Sequence, residues 1–211
     1  KLAGIPIADN FKVSEWSNLS KGKKYIVKPI WEDGSVGITE DSVFTFDGNK
    51  PAIINGKDDN HWFIESYLDG REFNVSVIAN GLSPLVLPPA EMVFIDYPLD
   101  LPKIVSYKAK WDESTFQYKN SVRRFNTDCS PLLLAKIEKV ALDCWKLFDL
   151  HGYARIDMRT DINGEVYVME VNANPCISGD SGFVAACRQY GLNDVEIVRR
   201  IINDLNNKPL G

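Results

Sequence analysis

Two acidic residues near the C-terminus fall in segments that read as the two strands of one hairpin. These segments are Tyr153–Thr160 and Glu165–Asn172. Between them lies Asn163-Gly164, and an Asn-Gly pair is typical of a two-residue hairpin loop. The sequence therefore predicts a β-hairpin, and a two-residue loop determines which residues of the two strands face each other.

Acids and potential metal ligands share one face of this hairpin. Counting back from the loop predicts three opposed pairs: Ile162 with Glu165, Asp157 with Glu170, and Arg155 with Asn172. Since strand side chains alternate faces, the last two pairs project from the same face. Asp157 and Glu170 would repel each other, and a cation between them would relieve that repulsion. Carboxylate and amide oxygens suit Mg²⁺ or Mn²⁺ better than zinc. An exposed hairpin with solvated acids is the alternative.

The composition is that of an ordinary globular protein. The chain has 211 residues, a formal net charge of −5 and no long basic run, which disfavours duplex nucleic acid as a partner. No apolar stretch approaches the roughly 20 residues that a membrane helix needs, and no signal-peptide pattern is recognised. The four cysteines have no CxxC spacing and there are two histidines, so we expect no zinc site. Scattered thiols fit a reducing cytoplasm, where we expect the protein to lie.

A lysine and a glycine-rich turn in the first third of the chain could hold phosphate. Lys28 ends an apolar strand, and the turn Gly34–Gly37 follows. Glycines let backbone N–H groups approach a phosphate closely, and a lysine supplies charge. Alone, these residues favour an ordinary turn. Together with paired carboxylates they fit a nucleoside triphosphate, whose phosphates a metal bridges.

Two further segments could contact a ligand. In Ile64–Leu68 a strand passes into a connector, whose free backbone groups could read an adenine edge. Glu65 and the later Glu72 could accept hydrogen bonds from the nucleoside, or could simply be solvated strand charges. The basic segment Tyr107–Trp111 could contact phosphate or a substrate carboxylate, or form a solvated patch.

Helices are predicted on both sides of the hairpin. Ser130 and Pro131 form a helix start, and apolar residues recur after them at helical spacing. The last helix begins at Asn193, with Glu196 as its capping-box partner. We expect both apolar stripes to be core: Leu133, Ile137, Val140, Ala141, Cys144 and Phe148 in one helix, and Val195, Val198, Ile202 and Leu205 in the other. Residues 96–128 read as a long ordered loop.

Taken in order, these segments resemble the ATP-grasp superfamily, and most closely its D-alanine–D-alanine ligase group. The match covers nearly the whole chain, and its last two blocks are highly specific when they occur together. The blocks are Gly4–Pro6, Lys28-Pro29, Ser35–Gly37, Phe63–Phe73, Tyr107–Lys110, Gly152–Asp157 and Met169–Pro175. The resemblance implies an α+β ATP-grasp fold of antiparallel sheets flanked by helices. It also implies two lobes with nucleotide between them, residues 1–67 forming the small lobe and residues 68–211 the large lobe.

The resemblance also implies the site. The implied phosphate and adenosine contacts are Lys28, Ser35, Val36, Gly37, Glu65, Tyr67, Leu68, Glu72, Lys110 and Met169. Asp157, Glu170 and Asn172 would be ligands of two Mg²⁺ (or Mn²⁺) ions. The implied catalytic residues are Arg155, which would stabilise the transferring phosphoryl group, Lys110, and Ser181, which would contact the carboxylate of the second amino acid. The turn Gly34–Gly37 would be a mobile flap.

Three residues depart from the ligase pattern. Gly34 and Trp111 stand where the ligases usually have a Ser–Tyr pair near the first substrate, and Cys176 stands where they have a glycine after the metal Asn. These differences put D-alanine as the substrate in doubt. The resemblance also implies an N-terminal domain that holds the first substrate. We therefore expect this chain to be the ATP-binding portion of a longer ligase, inactive or nearly so on its own.

The leading hypothesis is thus an ATP-dependent ligase that joins a small carboxylate or amino acid to an amino acid amine through an acyl phosphate. Its partners would be ATP, these substrates and the N-terminal domain, with neither nucleic acid nor membrane involved and a homodimer left open. One alternative is an ATP-grasp ligase with another substrate pair, glutathione-synthetase-like or peptide-tagging. Another is a nucleotide-binding regulatory module that has lost catalysis.

Overall fold

The computed structural model describes residues 4–81 and 83–206, and the fold is α+β with antiparallel sheets, as predicted. The described chain forms two compact units. Within the described residues, the lysine unit comprises residues 8–69 and 93–122, and the hairpin unit comprises residues 4–7, 70–81, 83–92 and 123–206. Residues 93–122 therefore belong to the same unit as residues 8–69. The chain leaves the lysine unit after residue 69 and returns to it at residue 93. The lobe boundary at residue 67 stays a prediction.

The lysine unit contains a four-stranded antiparallel sheet in the order β1-β4-β2-β3. Its strands are β1 Asn10–Lys12, β2 Lys24–Pro29, β3 Val43–Thr45 and β4 Trp62–Ser66. Short 3-10 helices connect them at Val13–Asn18, Glu40–Ser42 and Ala52–Ile54. Tyr25, Val27 and Ile64 from the two central strands are fully buried and anchor the core of this unit.

A second sheet, in the order β10-β9-β5-β7-β8 with β6 paired to β5, carries the predicted hairpin. Its strands are β5 Glu72–Ile78, β6 Leu85–Val86, β7 Ala90–Phe94, β8 Ser121–Arg124, β9 Tyr153–Thr160 and β10 Val166–Asn172. The helices of the described chain are α1 Tyr107–Trp111, α2 Phe116–Asn120, α3 Pro131–Leu147, α4 Gly182–Tyr190 and α5 Asp194–Asn206. The segment 96–128, expected to be a loop, therefore contains α1, α2 and β8.

One face of β5, β9 and β10 packs against α3. Phe73, Val75 and Val77 of β5 alternate into this core and meet the buried side of α3, which includes Ile137 and Ala141. The predicted start of α3 is confirmed, since the Oγ of its N-cap Ser130 accepts a hydrogen bond from the amide of Leu133 at 3.2 Å. Phe148, predicted to be core, is 54% exposed just beyond the end of the helix.

Helix α5 buries a different face from the one predicted. Its capping box is confirmed, because Asn193 and Glu196 accept hydrogen bonds from each other's amides. The predicted core residues Val195, Val198 and Ile202 are nevertheless 64%, 49% and 51% exposed. The helix packs through Ile197 and Ile201 instead. The helix has apolar residues on two faces, and helical spacing does not tell which of them meets the sheet. The side chain of Leu205 lies outside the described residues.

No helix in residues 4–81 and 83–206 combines the length and the apolar character needed to cross a membrane.

Candidate functional site

The hairpin pairs the two acids as predicted, but its loop and the strand register next to the loop differ from the prediction. Asp157 lies opposite Glu170 and Arg155 opposite Asn172, as predicted. The predicted pair of Ile162 with Glu165 is wrong. Asp161 instead closes a three-residue loop: its amide donates to the Glu165 carbonyl at 2.9 Å, and its Oδ1 accepts from the Glu165 amide at 2.9 Å.

A bulge then restores the predicted register. Near the loop Val168 pairs with Met158, which is one residue off the predicted register. The register shifts between Val168 and Glu170, so that Glu170 faces Asp157. The extra loop residue and the bulge compensate each other, and the two carboxylates lie directly opposite each other on neighbouring strands.

Charged and polar residues line the face of the hairpin that points away from α3. On β5 the residues between the core positions pair with β9, Glu72 with Arg159 and Asn74 with Asp157. We call this set the polar strip: Glu72, Asn74, Arg155, Asp157, Arg159, Glu170 and Asn172. It holds three carboxylates against two guanidinium groups. The excess negative charge suits a divalent cation.

Arg155 and Asp157 form a bidentate ion pair at the centre of this strip. Arg155 Nε lies 2.7 Å from Asp157 Oδ1, and Arg155 Nη2 lies 2.8 Å from Oδ2. Burial opposes the charge of Arg155, but its hydrogen bonds to Asp157 and the charges of Asp157, Glu170 and Glu72 prevail and raise its pKa. Arg155 is therefore a fixed cation on the face that carries the carboxylates.

The predicted metal ligands are two carboxylates and one amide. In residues 4–81 and 83–206 no group of three or more His, Cys, Asp and Glu side chains could hold a metal ion by itself. Asn172 Oδ1 accepts a hydrogen bond from the Asn174 amide at 2.9 Å, and an amide oxygen keeps a second lone pair. The oxygen-only set Asp157, Glu170 and Asn172 thus fits a hard cation whose other ligands come from phosphate or water.

In the lysine unit, Lys28 forms an ion pair with Glu65. Lys28 lies on β2 and Glu65 on the neighbouring β4, and Lys28 Nζ hydrogen-bonds to Glu65 Oε2. Both side chains are largely buried, at 17% and 13% exposure. The predicted phosphate contact and one predicted nucleoside contact are therefore direct neighbours.

The glycine-rich turn is tied to α1 and to the residues just before it. Gly34, Ser35 and Gly37 have φ values of 58°, 67° and 76°, and runs of such residues can point backbone N–H groups at an anion. Ser35 Oγ donates to the Val105 carbonyl at 2.7 Å, and Trp111 Nε1 donates to the Gly34 carbonyl at 2.9 Å. Val36, whose amide bonds to Asp33, is 41% exposed.

Lys110 and Trp111 lie against this turn. A Cβ added at Gly34 would stand 3.6 Å from the Trp111 ring and 3.8 Å from Lys110 Nζ. Two of the three residues that depart from the ligase pattern, Gly34 and Trp111, therefore contact each other. The turn and the predicted phosphate contact Lys110 form one cluster within the lysine unit.

The predicted adenosine contacts divide between the two units. Tyr67 and Leu68 follow β4 in the lysine unit, whereas Glu72 and Met169 belong to the hairpin unit. The amide of Tyr67 bonds to the Lys24 carbonyl and is not free, contrary to the expectation for this connector. The Leu68 amide has no hydrogen-bond partner among the described residues. Glu72 is buried and lies 3.5 Å from Arg159.

Ser181 is the N-cap of α4, and its Oγ accepts a hydrogen bond from the Val184 amide at 3.3 Å. Its hydroxyl proton stays available to another acceptor. Upstream, the Cys176 thiol lies 3.1 Å from Ser178 Oγ. Tyr153 links the two segments, since its hydroxyl donates to Asn174 and its ring packs on Phe183 of α4.

The cysteines should differ sharply in reactivity. The Ser178 hydroxyl lowers the pKa of the exposed Cys176, whereas burial raises the pKa of Cys144 to about 11 and that of Cys187 to about 12. The thiolate is the reactive form. A thiol reagent at about pH 7 should modify Cys176 first and leave Cys144 and Cys187 unreacted until unfolding. Peptide mapping by mass spectrometry measures this order, and a fast phase that survives Cys176→Ser would contradict it.

Sequence reasoning missed Asn74 and Arg159. On β5 the apolar residues Phe73, Val75 and Val77 alternate into the core. The intervening polar residues necessarily share the opposite face, so the same pattern could have identified Asn74. The alternation pattern could not have shown that Arg159 lies opposite Glu72, because this contact depends on β5 pairing with β9.

Comparison with known proteins agrees with this arrangement. The D-ala D-ala ligase C-terminus family matches residues 12–203. A D-alanine–D-alanine ligase of Pseudoalteromonas translucida is 29% identical over 181 residues, covering 85% of this chain and 54% of that protein. The chain thus spans about half the length of this curated relative.

Two solved structures share the fold. D-alanyl-alanine synthetase A of Vibrio cholerae has a TM-score of 0.74 at 19% identity, covering 98% of this chain and 62% of that one. The ATP complex of the Bacillus anthracis D-alanine–D-alanine ligase has a TM-score of 0.66 at 18% identity, covering 96% and 61%. The predicted ATP-grasp fold is confirmed. The protein belongs to the D-ala D-ala ligase C-terminus family.

Proposed function

We propose that this chain is the nucleotide-binding and phosphoryl-transferring portion of an ATP-dependent carboxylate–amine ligase. The observation that carries the proposal is the polar strip, where Arg155 is held against Asp157 and Asp157 lies opposite Glu170. A cation fixed beside an acidic metal site is suited to chemistry in which negative charge moves from ATP to an acceptor.

In the proposed reaction, a substrate carboxylate attacks the γ-phosphorus of ATP and releases ADP. The amine of an amino acid then attacks the resulting acyl phosphate, loses its proton, and expels inorganic phosphate as the amide bond forms. Bound Mg²⁺ would neutralise phosphate charge and orient the phosphates. Asp157, Glu170 and Asn172 would hold it, and Arg155 would stabilise the charge that develops on the transferring group and on the tetrahedral intermediate.

The remaining predicted residues have supporting roles. Lys28 and Lys110 would contact phosphates, with the amides of Ser35 and Gly37. Lys28 is paired with Glu65, so its ammonium group would have to bind Glu65 and a phosphate at the same time. Ser181 would hold the carboxylate of the second amino acid through its hydroxyl.

The other contacts concern the nucleoside. The amide of Leu68, together with Glu65, Tyr67, Glu72 and Met169, would recognise the adenosine. We also propose that the full-length protein supplies the missing first-substrate contacts from outside this chain, and that it works in the cytoplasm.

One observation favours a different substrate pair over two D-alanines. The indole of Trp111 occupies the space beside Gly34 and donates to its carbonyl. The resemblance places these two positions near the first substrate. A bulky ring there would change the shape of the pocket that receives this substrate. The regulatory-module alternative has less support, because nucleotide binding alone does not require the fixed cation Arg155.

Amino-acid-dependent phosphate release by the full-length protein tests this function. Pairs of D- and L-amino acids are supplied with Mg-ATP, phosphate is measured, and the product is identified by its mass. We expect phosphate release only when both members of the right pair are present, with one amide formed per phosphate. If no amino-acid pair causes phosphate release while Mg-ATP still binds, the regulatory module is supported instead.

A further inference from the structure

Asn74 lies directly opposite Asp157 at the centre of the polar strip. The two residues are register partners on β5 and β9, and Asn74 Nδ2 donates to Asp157 Oδ1 at 3.0 Å. The Asp157 side chain is only 12% exposed, so this hydrogen bond is largely shielded from water. A buried charge-assisted hydrogen bond restrains the carboxylate that accepts it.

The hydrogen bonds of Asp157 use its two oxygens unequally. Oδ1 accepts from Arg155 Nε and from Asn74 Nδ2, whereas among the described residues Oδ2 accepts only from Arg155 Nη2. Each carboxylate oxygen has about two lone pairs. Oδ1 is therefore saturated, and Oδ2 keeps a lone pair that a cation can use.

We propose that Asn74 is a positioning residue for the divalent cation site. It holds the Asp157 carboxylate in one orientation and makes Oδ2 the oxygen that serves as metal ligand. The inference rests on the proposed function, in which Asp157 binds Mg²⁺. Asn74 acts through Asp157 and has no assigned contact with the nucleotide.

The chemistry of an amide suits this position better than that of the alternatives. A carboxylate at position 74 could not donate to Asp157 and would add a fourth acid to the strip, where Arg155 and Arg159 are the two cations. An apolar side chain would leave Oδ1 short of one bond, and among the described residues only Arg155 would then hold the carboxylate. Outer partners that orient a metal ligand commonly change metal affinity by about 10- to 100-fold when removed.

The test is the Mg²⁺ dependence of ATP-induced stabilisation in Asn74→Leu. Leucine has nearly the same size but no hydrogen-bonding group. We expect the Mg²⁺ concentration that gives half of the ATP-induced rise in melting temperature to increase by about 10- to 100-fold. The matched control is Asn80→Leu in the same unit, which removes a hydrogen bond to Arg200 and should leave the Mg²⁺ requirement unchanged. An unchanged requirement in Asn74→Leu, or an equal increase in Asn80→Leu, would overturn the inference.

A second variant decides the matter if Asn74→Leu does not fold. Asn74→Ala removes the same donor with less bulk than leucine. Its Mg²⁺ requirement for ATP-induced stabilisation should likewise increase by about 10- to 100-fold, and an unchanged requirement would overturn the inference. A wild-type chain whose ATP-induced stabilisation is independent of Mg²⁺ would refute the proposed metal site itself, and the inference with it.

Discussion

Replacing Arg155 by alanine in the full-length protein is expected to lower kcat by about 10²- to 10³-fold, the usual effect of removing one preorganised charge-stabilising group. The dissociation constant for ATP should change little, because Arg155 serves the transferring group more than the ground state. The structure adds a second expectation. Asp157 loses the guanidinium that pairs with it, so its affinity for Mg²⁺ should not weaken.

Arg155→Lys is the matched control for this prediction. It keeps the positive charge but cannot make the bidentate contact that Nε and Nη2 make with Asp157. We expect its turnover to lie between those of the wild type and Arg155→Ala. Single-turnover kinetics with a Mg²⁺ titration separate the effects. An Arg155→Ala enzyme with near wild-type turnover, or one whose defect is repaired by more Mg²⁺, would refute the role given to Arg155.

The second large effect concerns the two opposed carboxylates. Asp157→Asn and Glu170→Gln each remove a charge without changing size, and both should abolish the Mg²⁺-dependent part of ATP binding. In the wild-type chain, ATP at about 100 times its dissociation constant contributes roughly 2.7 kcal/mol. For a chain of this size that is a rise in melting temperature on the order of 5–10 °C. Thermal unfolding with Mg-ATP and with ATP in EDTA measures the difference.

The two variants differ in their effect on the protein without ligand. Asp157→Asn breaks the shielded ion pair with Arg155 and should lower the melting temperature by itself. Glu170 is exposed, so Glu170→Gln should have little such effect and is the cleaner test. Equal Mg-ATP shifts in the wild type and in both variants would show that these carboxylates do not hold the metal.

The hairpin shows how far sequence reasoning reached. The pairing of Asp157 with Glu170 was predicted from a two-residue loop, although the loop has three residues and Asp161 closes it with its side chain. A bulge after Val168 cancels the error. Bulges leave little trace in a single sequence, because they depend on packing between strands. The prediction was right at the acids and wrong at the turn.

Other features depend on contacts between distant parts of the chain. Lys28 and Glu65 were both singled out, but their ion pair required the pairing of β2 with β4. The face that α5 buries is set by α4 and the sheet, and spacing offered two faces with similar apolar character. Local patterns identified segments and residue types, whereas partners across the fold came only from the structure.

The central claim is that the paired acids of this hairpin hold the divalent cation of bound ATP, and paramagnetic broadening by Mn²⁺-ATP tests it most directly. At a small fraction of saturation, amide resonances of Asp157, Glu170 and Asn172 should broaden first. Those of Ile162–Gly164 at the tip, roughly 20 Å away along the strands, should broaden least, and excess Mg-ATP should reverse the effect. Broadening that is uniform along the hairpin, or strongest at its tip, would contradict the claim.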